Sequence, residues 1–147
     1  MSRVTLDMTE LSSLMDKLKI KGSVKVGILG DGSARGGGAT NAEIGLSHEF
    51  GSILKGIPTR SFIRMPLEKK AGELKSVLTS NAAAQAIESG NVGLVLELLG
   101  IKAQGIIQEA FTTGGFGEWQ RNSAETIKRK GDDSPLQDTM QLKRSIS

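Results

Sequence analysis

The chain has 147 residues, 37% of them hydrophobic, which is enough for one domain with a real core. Its formal charge is +3 and it has no cysteine, which excludes disulfides, thiolate metal sites and a cysteine nucleophile and fits folding in a reducing cytoplasm. Aromatic residues are only 3%, so core and interfaces must be built mainly from Leu, Ile, Val, Ala and Met.

The charge is dispersed. Lys and Arg stand against Asp and Glu as eight to six in residues 1–60, five to six in 61–118 and six to four in 119–147. The one compact basic run, Lys128-Arg129-Lys130, is followed at once by Asp132 and Asp133, the pattern of a solvated helix end more than of a phosphate-binding patch. The greasiest stretch, residues 92–99, contains Glu97 and falls far short of the ~20 residues of a membrane span. Residues 1–18 carry Asp7, Glu10 and Asp16 where a signal peptide is apolar. The expectation is a soluble protein made in the cytoplasm, with no membrane partner.

In chain order, Asp7 and Glu10 form a capping pattern, and Leu11, Leu14, Met15 and Leu18 share one face, predicting an N-terminal helix within residues 1–22. Val24, Val26 and Ile28 alternate with Ser23, Lys25 and Gly27, the period of a half-buried strand. Residues 30–39 are too rich in glycine for regular structure and read as a flexible loop. That loop is not a nucleotide cradle by pattern: Gly38 is followed by Ala39 and Thr40 where a phosphate loop needs Lys and then Ser or Thr, and Arg35 stands where the dinucleotide fingerprint needs its third glycine.

Thr40 and Glu43 make a second capping box, and Ala42, Leu46 and Phe50 continue it as a helix to about Glu49, stopped by Gly51. Ile57-Pro58 is extended, and residues 61–64 are expected to pair as a short strand. Pro66 opens a helix whose stripe of Leu67, Ala71, Leu74 and Leu78 continues towards Ile87, with Gly90 as its stop. Val92, Val95, Leu96, Leu99, Ala103, Ile106, Ile107 and Ala110 give the strongest helical period in the chain, the expected spine of the core. A second flexible glycine-rich loop, residues 112–118, precedes Trp119. A short helix over 123–130 closes at Gly131, and Asp138 is placed to cap a last turn over 140–144. Together these elements predict an α+β fold: a helix-rich single domain over residues 1–147, with a long central amphipathic helix packed on a small, mainly antiparallel sheet.

Two strings carry a resemblance. The first runs from Asn41-Ala42-Glu43-Ile44 through His48-Glu49-Phe50-Gly51 to Ile57-Pro58-Thr59-Arg60-Ser61-Phe62-Ile63-Arg64. The second is Trp119, then Thr126-Ile127-Lys128-Arg129-Lys130-Gly131, then Pro135-Leu136-Gln137-Asp138-Thr139-Met140-Gln141-Leu142-Lys143-Arg144-Ser145-Ile146. In order and spacing, across roughly residues 24–146, they resemble the neck or tail-completion (virion morphogenesis, head–tail joining) family of tailed phages. In that family Ser61 is usually Pro and Met140 usually Gly. The resemblance implies a structural virion protein, not an enzyme, that forms a homo-oligomeric ring of six or twelve subunits. It also implies partners on the head side (portal or connector proteins) and on the tail side (tail terminator or tube), with DNA passing through the lumen unread.

On this reading Glu49, Phe50, Gly51, Pro58, Pro135, Leu136, Asp138, Thr139 and Leu142 shape the subunit. Arg60, Phe62, Arg64, Trp119, Lys128, Arg129 and Arg144 are the candidate docking residues. If residues 60–64 are extended, Arg60 and Arg64 share a face. For both arginines a solvated edge is the plain alternative, and for Trp119 a core anchor. Two other classes stand as alternatives: a small basic DNA-associated protein using Lys128, Arg129, Lys130 and Arg35, and a small hydrolase built on His48. His48 is the single histidine, so a two-histidine metal site is excluded, and adjacent Glu49 does not face it on a helix. No catalytic, metal or cofactor residue is assigned.

Overall fold

The computed structural model describes residues 16, 22–29, 38–137 and 140–147. The helix expected within residues 1–22, most of the glycine loop 30–39, Asp138 and Thr139 lie outside the described residues.

Among the described residues seven helices are complete: α1 Asn41–Phe50, α2 Arg64–Lys69, α3 Ala71–Leu78, α4 Asn81–Glu88, α5 Val92–Thr112, α6 Ala124–Lys130 and α7 Gln141–Arg144. The expected capping box starts α1: the Thr40 hydroxyl accepts from the Glu43 N–H at 3.2 Å, and the Glu43 carboxylate accepts from the Thr40 N–H at 2.8 Å. The Thr40 N–H, together with the Thr40 hydroxyl that also donates to it, holds the Glu43 carboxyl below its usual range. Ser123 caps α6 by accepting from the Thr126 N–H, and Gly131 ends it in the left-handed conformation, φ 83°.

The long helix is the spine, as its periodicity predicts. Val95, Ala103, Ile106, Ile107, Ala110 and Phe111 are buried along it, α2, α3 and α4 pack against it, and α1 packs against α7. Two apolar clusters result. One gathers Phe62, Ile107, Ala110, Phe111, Trp119, Leu142 and Ile146; the other, nearer the start of α5, is Val95 against Ala83 and Ala86 of α4. Small alanines there let two helix backbones approach closely, whereas the first cluster is filled by rings.

The sheet expected from the sequence is not there. Among the described residues there is no strand, and the extended pairing amounts to two isolated antiparallel bridges, Ile28 with Ile146 and Ser52 with Ile57. The alternating segment 24–28 does find a partner: Gly27 and Ser147 exchange both backbone hydrogen bonds at 2.9 Å. The ladder cannot lengthen because Ser145 has already turned into the end of α7, with φ −81° and ψ −3°. A third strand is replaced by a side chain, since the Ile146 carbonyl accepts from Gln104 Nε2 of α5 at 2.8 Å. Among the described residues the fold is therefore a helical assembly with two isolated extended contacts, not α+β.

Two further expectations change. Residues 61–64 form no strand, because Arg64 is already the first residue of α2. The single stripe from Pro66 towards Ile87 is three helices, interrupted at Lys70 and again at Thr79-Ser80. At the second break Ser80 goes extended, ψ 154°, and its hydroxyl accepts from the Ala83 N–H to cap α4. A hydroxyl offering the backbone this alternative partner outweighs a continuous apolar stripe.

Glu73 of α3 is bonded to Lys70 and to Lys102 of α5, which pulls its carboxyl from 4.5 to about 2. A depressed carboxyl stabilises the fold at pH above its unfolded value, and the contribution fades as pH falls towards about 2. The expected result is that Glu73→Gln is less stable than the parent at pH 6, with the two unfolding curves converging as the pH is lowered to about 2. A difference independent of pH would contradict this.

Candidate functional site

The residues of the two signature strings converge on one knot. α1 stops at Phe50 because Gly51 takes φ 74°, where a Cβ would lie 2.7 Å from Thr59 Oγ1. Ser52 and Ile57 then exchange backbone hydrogen bonds at 2.8 and 2.9 Å, and the Gly56 N–H donates to the Ile53 carbonyl at 3.2 Å. This closes a tight turn over residues 53–56. Its tip is Ile53 and Leu54, each 100% exposed.

The segment that follows that turn is pinned by Glu49. Its carboxylate is buried at the end of α1 and accepts from the Ser61 hydroxyl at 2.7 Å and from the N–H groups of Phe62, Ile63 and Arg64 at 2.8, 3.0 and 3.1 Å. The Ser61 oxygen accepts from the Met65 N–H at 2.9 Å, Pro66 has no N–H, and the Leu67 N–H reaches the Ile63 carbonyl at 3.3 Å. Every donor that opens α2 is thereby accounted for, those of Phe62, Ile63 and Arg64 by a side chain 13 to 15 residues earlier in the chain. A negative group there is also favoured by the helix dipole.

Arg60 ties the knot to the second string. Its Nε donates to the Gln120 carbonyl and its Nη2 to the Arg121 carbonyl, both at 2.9 Å, while its own N–H reaches the His48 carbonyl at 2.7 Å. Burial pulls the guanidinium below the ordinary arginine range, with Asp133 opposing the shift. Trp119 follows directly: its indole N–H donates to the Ser61 carbonyl at 3.0 Å, and its ring meets Phe111 edge-on at 5.7 Å. Gly115, at φ 67°, lies under that indole, where a Cβ would stand 2.3 Å from the ring. The segment read from its glycines as a loose excursion is thus closed by hydrogen bonds, among them Gly115 N–H to the Ala110 carbonyl and Trp119 N–H to the Gly114 carbonyl.

The structure places the sequence-predicted residues in two groups. Glu49, Arg60, Phe62, Trp119, Pro135 and Leu142 are buried, with Gly51, Pro58 and Leu136 half-buried beside them. Phe50, Arg64, Lys128, Arg129 and Arg144 are exposed. Arg60 and Arg64 do not share an extended face: the first points inward, and the second sits in the first turn of α2 over the Phe50 ring, 5.8 Å from its centre. Met140, where the resembled family carries Gly, has φ 58°, the left-handed conformation in which glycine is at ease.

Below the turn, between α1, α6 and α7, lies a cleft of about 540 Å³ lined by His48, Arg60, Arg121, Asn122, Arg129 and Lys130 among others. Several of these cations are already engaged. Arg121 is paired with Asp133, and Lys130 donates to the Ser134 carbonyl at 2.7 Å. Among the described residues no group of three or more His, Cys, Asp or Glu is placed to hold a metal ion, and no helix is long and apolar enough to cross a membrane.

Sequence reasoning missed the exposed tip. The signal was present: two branched aliphatic residues, Ile53 and Leu54, stand inside the turn marked by Gly51-Ser52 and Lys55-Gly56, where polar residues are the rule. Chemically the arrangement holds and presents; Glu49, Arg60 and the Trp119 indole are spent on backbone groups and, for Glu49, on the Ser61 hydroxyl as well. No family model, no curated protein and no solved structure matches the chain.

Proposed function

We propose that this chain is a structural subunit of a tailed-phage virion, acting in the neck or tail-completion layer by ring assembly and docking between the head connector and the tail. One observation carries the reading beyond the sequence resemblance. The signature residues, spread from Glu49 to Trp119, lock together through Glu49, Arg60 and the Trp119 indole, and what they hold out into solvent is a stiff turn tipped by two apolar side chains. Rigid presentation of apolar side chains lowers the entropy lost on association, which suits a building block.

The DNA-associated reading has less behind it. Of the basic residues around the cleft, Lys130, Arg121 and Arg60 are bonded within the chain, which leaves a thinner cationic surface for phosphates. The experiment that tests the leading reading is inactivation of the gene followed by electron microscopy of the lysate. Filled heads separate from tails, or tails of faulty length, are expected. Intact infectious particles made without the protein would end the proposal.

A further inference from the structure

The turn tip is one half of a pair of surfaces. Leu46 and Phe50, one helical turn apart on α1, are 63% and 62% exposed, and the chain runs on from them through Gly51 and Ser52 to Ile53 and Leu54, so four large apolar side chains are exposed within nine residues. Their rim is basic, with Lys55 beside the tip and Arg64 over the Phe50 ring. The tip residues are fully exposed, so none of the described residues covers them.

A second apolar strip lies on α5. Leu94 and Ile101 are exposed and seven residues apart, hence on one face, and exposed Val24 packs over Gly100 of the same helix. Glu97 stands between them, three residues after Leu94 and four before Ile101, and is exposed. The two strips match in kind. One is apolar with a lysine at its edge, and the other is apolar with a carboxylate in its middle.

We infer that the turn at residues 53–56 of one copy docks on the α5 face of a second copy, with Ile53 and Leu54 against Leu94 and Ile101 and Lys55 facing Glu97. The inference rests on the ring-assembly reading and names the surfaces that would make the ring. Charge decides the geometry. Turn against turn about a two-fold axis sets Lys55 and Arg64 of one copy near those of the other, a like-charge contact, whereas turn against α5 sets Lys55 against Glu97. A contact between two different surfaces of the same chain is head-to-tail, the kind that closes into rings.

The test uses the full chain and two surface variants. Ile53→Asp with Leu54→Asp blocks the turn, and Leu94→Asp with Ile101→Asp blocks the α5 face; all four sites are exposed, so folding, checked by circular dichroism, is unchanged. In sedimentation velocity the parent chain is expected to associate with rising concentration. Each blocked variant alone associates at least about 30-fold more weakly, because the tip residues are the anchors of the contact. Mixing the two leaves one intact turn and one intact α5 face, so the mixture forms a dimer and nothing larger. A parent chain that stays monomeric overturns the inference, as does a mixture that stays monomeric or a single variant that keeps the parent's assembly. The virion reading fails separately, through particles that form normally without the protein, and that result leaves the docking pair standing.

Discussion

Glu49→Gln is expected to lower the free energy of unfolding by about 4 kcal/mol, a large part of the roughly 5–15 kcal/mol that holds a domain of this size together. The carboxylate accepts four hydrogen bonds, three of them from backbone N–H groups. An amide in its place has one accepting oxygen, and its NH₂ group turns donor against donor, so at least one backbone N–H at the start of α2 loses its partner inside the protein. Leaving such a group buried and unpaired costs about 1–3 kcal/mol each, and the lost charge removes the stronger, ion-assisted part of the remaining bonds. Urea unfolding followed by circular dichroism measures the change. Glu43→Gln is the control, since that carboxylate caps α1 from the exposed side of the helix and should alter stability far less. Equal effects from the two substitutions would show that Glu49 is not the clasp described here.

The second large effect is Phe111→Ala, at about 4 kcal/mol. Phe111 is fully buried near the end of α5, its ring 5.4 Å from Phe62 and 5.7 Å from Trp119. Removing it leaves a cavity between two rings that are themselves fixed, Phe62 by the Glu49 clasp on its backbone and Trp119 by its bond to Ser61. Neighbours so held relax poorly into the space, which keeps the cost within the roughly 3–5 kcal/mol of aromatic-to-alanine changes. Trp119 is the single tryptophan, so its emission reports on the same site. A shift to longer wavelength is expected as water gains access to the indole. Unchanged emission with a stability loss under about 1 kcal/mol would contradict the packing.

These effects share a cause. The Glu49 clasp, the Arg60 tie and the Phe62, Phe111 and Trp119 stack join α1, the turn at 53–56, α2 and the 119–123 segment into one unit. Its stiffness is what lets two exposed aliphatic residues act as an anchor at little entropic cost. A destabilised knot is therefore expected to loosen the docking tip together with the core.

What the sequence determined by itself is everything settled within one or two turns of chain. Thr40 with Glu43, Ser123 before α6, the stops at Gly51 and Gly131 and the apolar period of α5 are all visible from spacing, because donor and acceptor lie three or four residues apart. What only the tertiary structure decided are the partners of groups whose bonds run far along the chain. Val24 to Ile28 alternates like a strand, but whether it joins a sheet depends on what arrives beside it, and there a tail already turning out of a helix leaves room for a single bridge. Glu49 reads as the end of its own helix and acts at the start of the next, while Arg60 reads as an outward cation and turns inward to two carbonyls some 60 residues on. Spacing encodes which groups face the same way. Which buried donor meets which acceptor is set by the packing that brings them together, since every such group must find a partner among whatever neighbours the fold supplies.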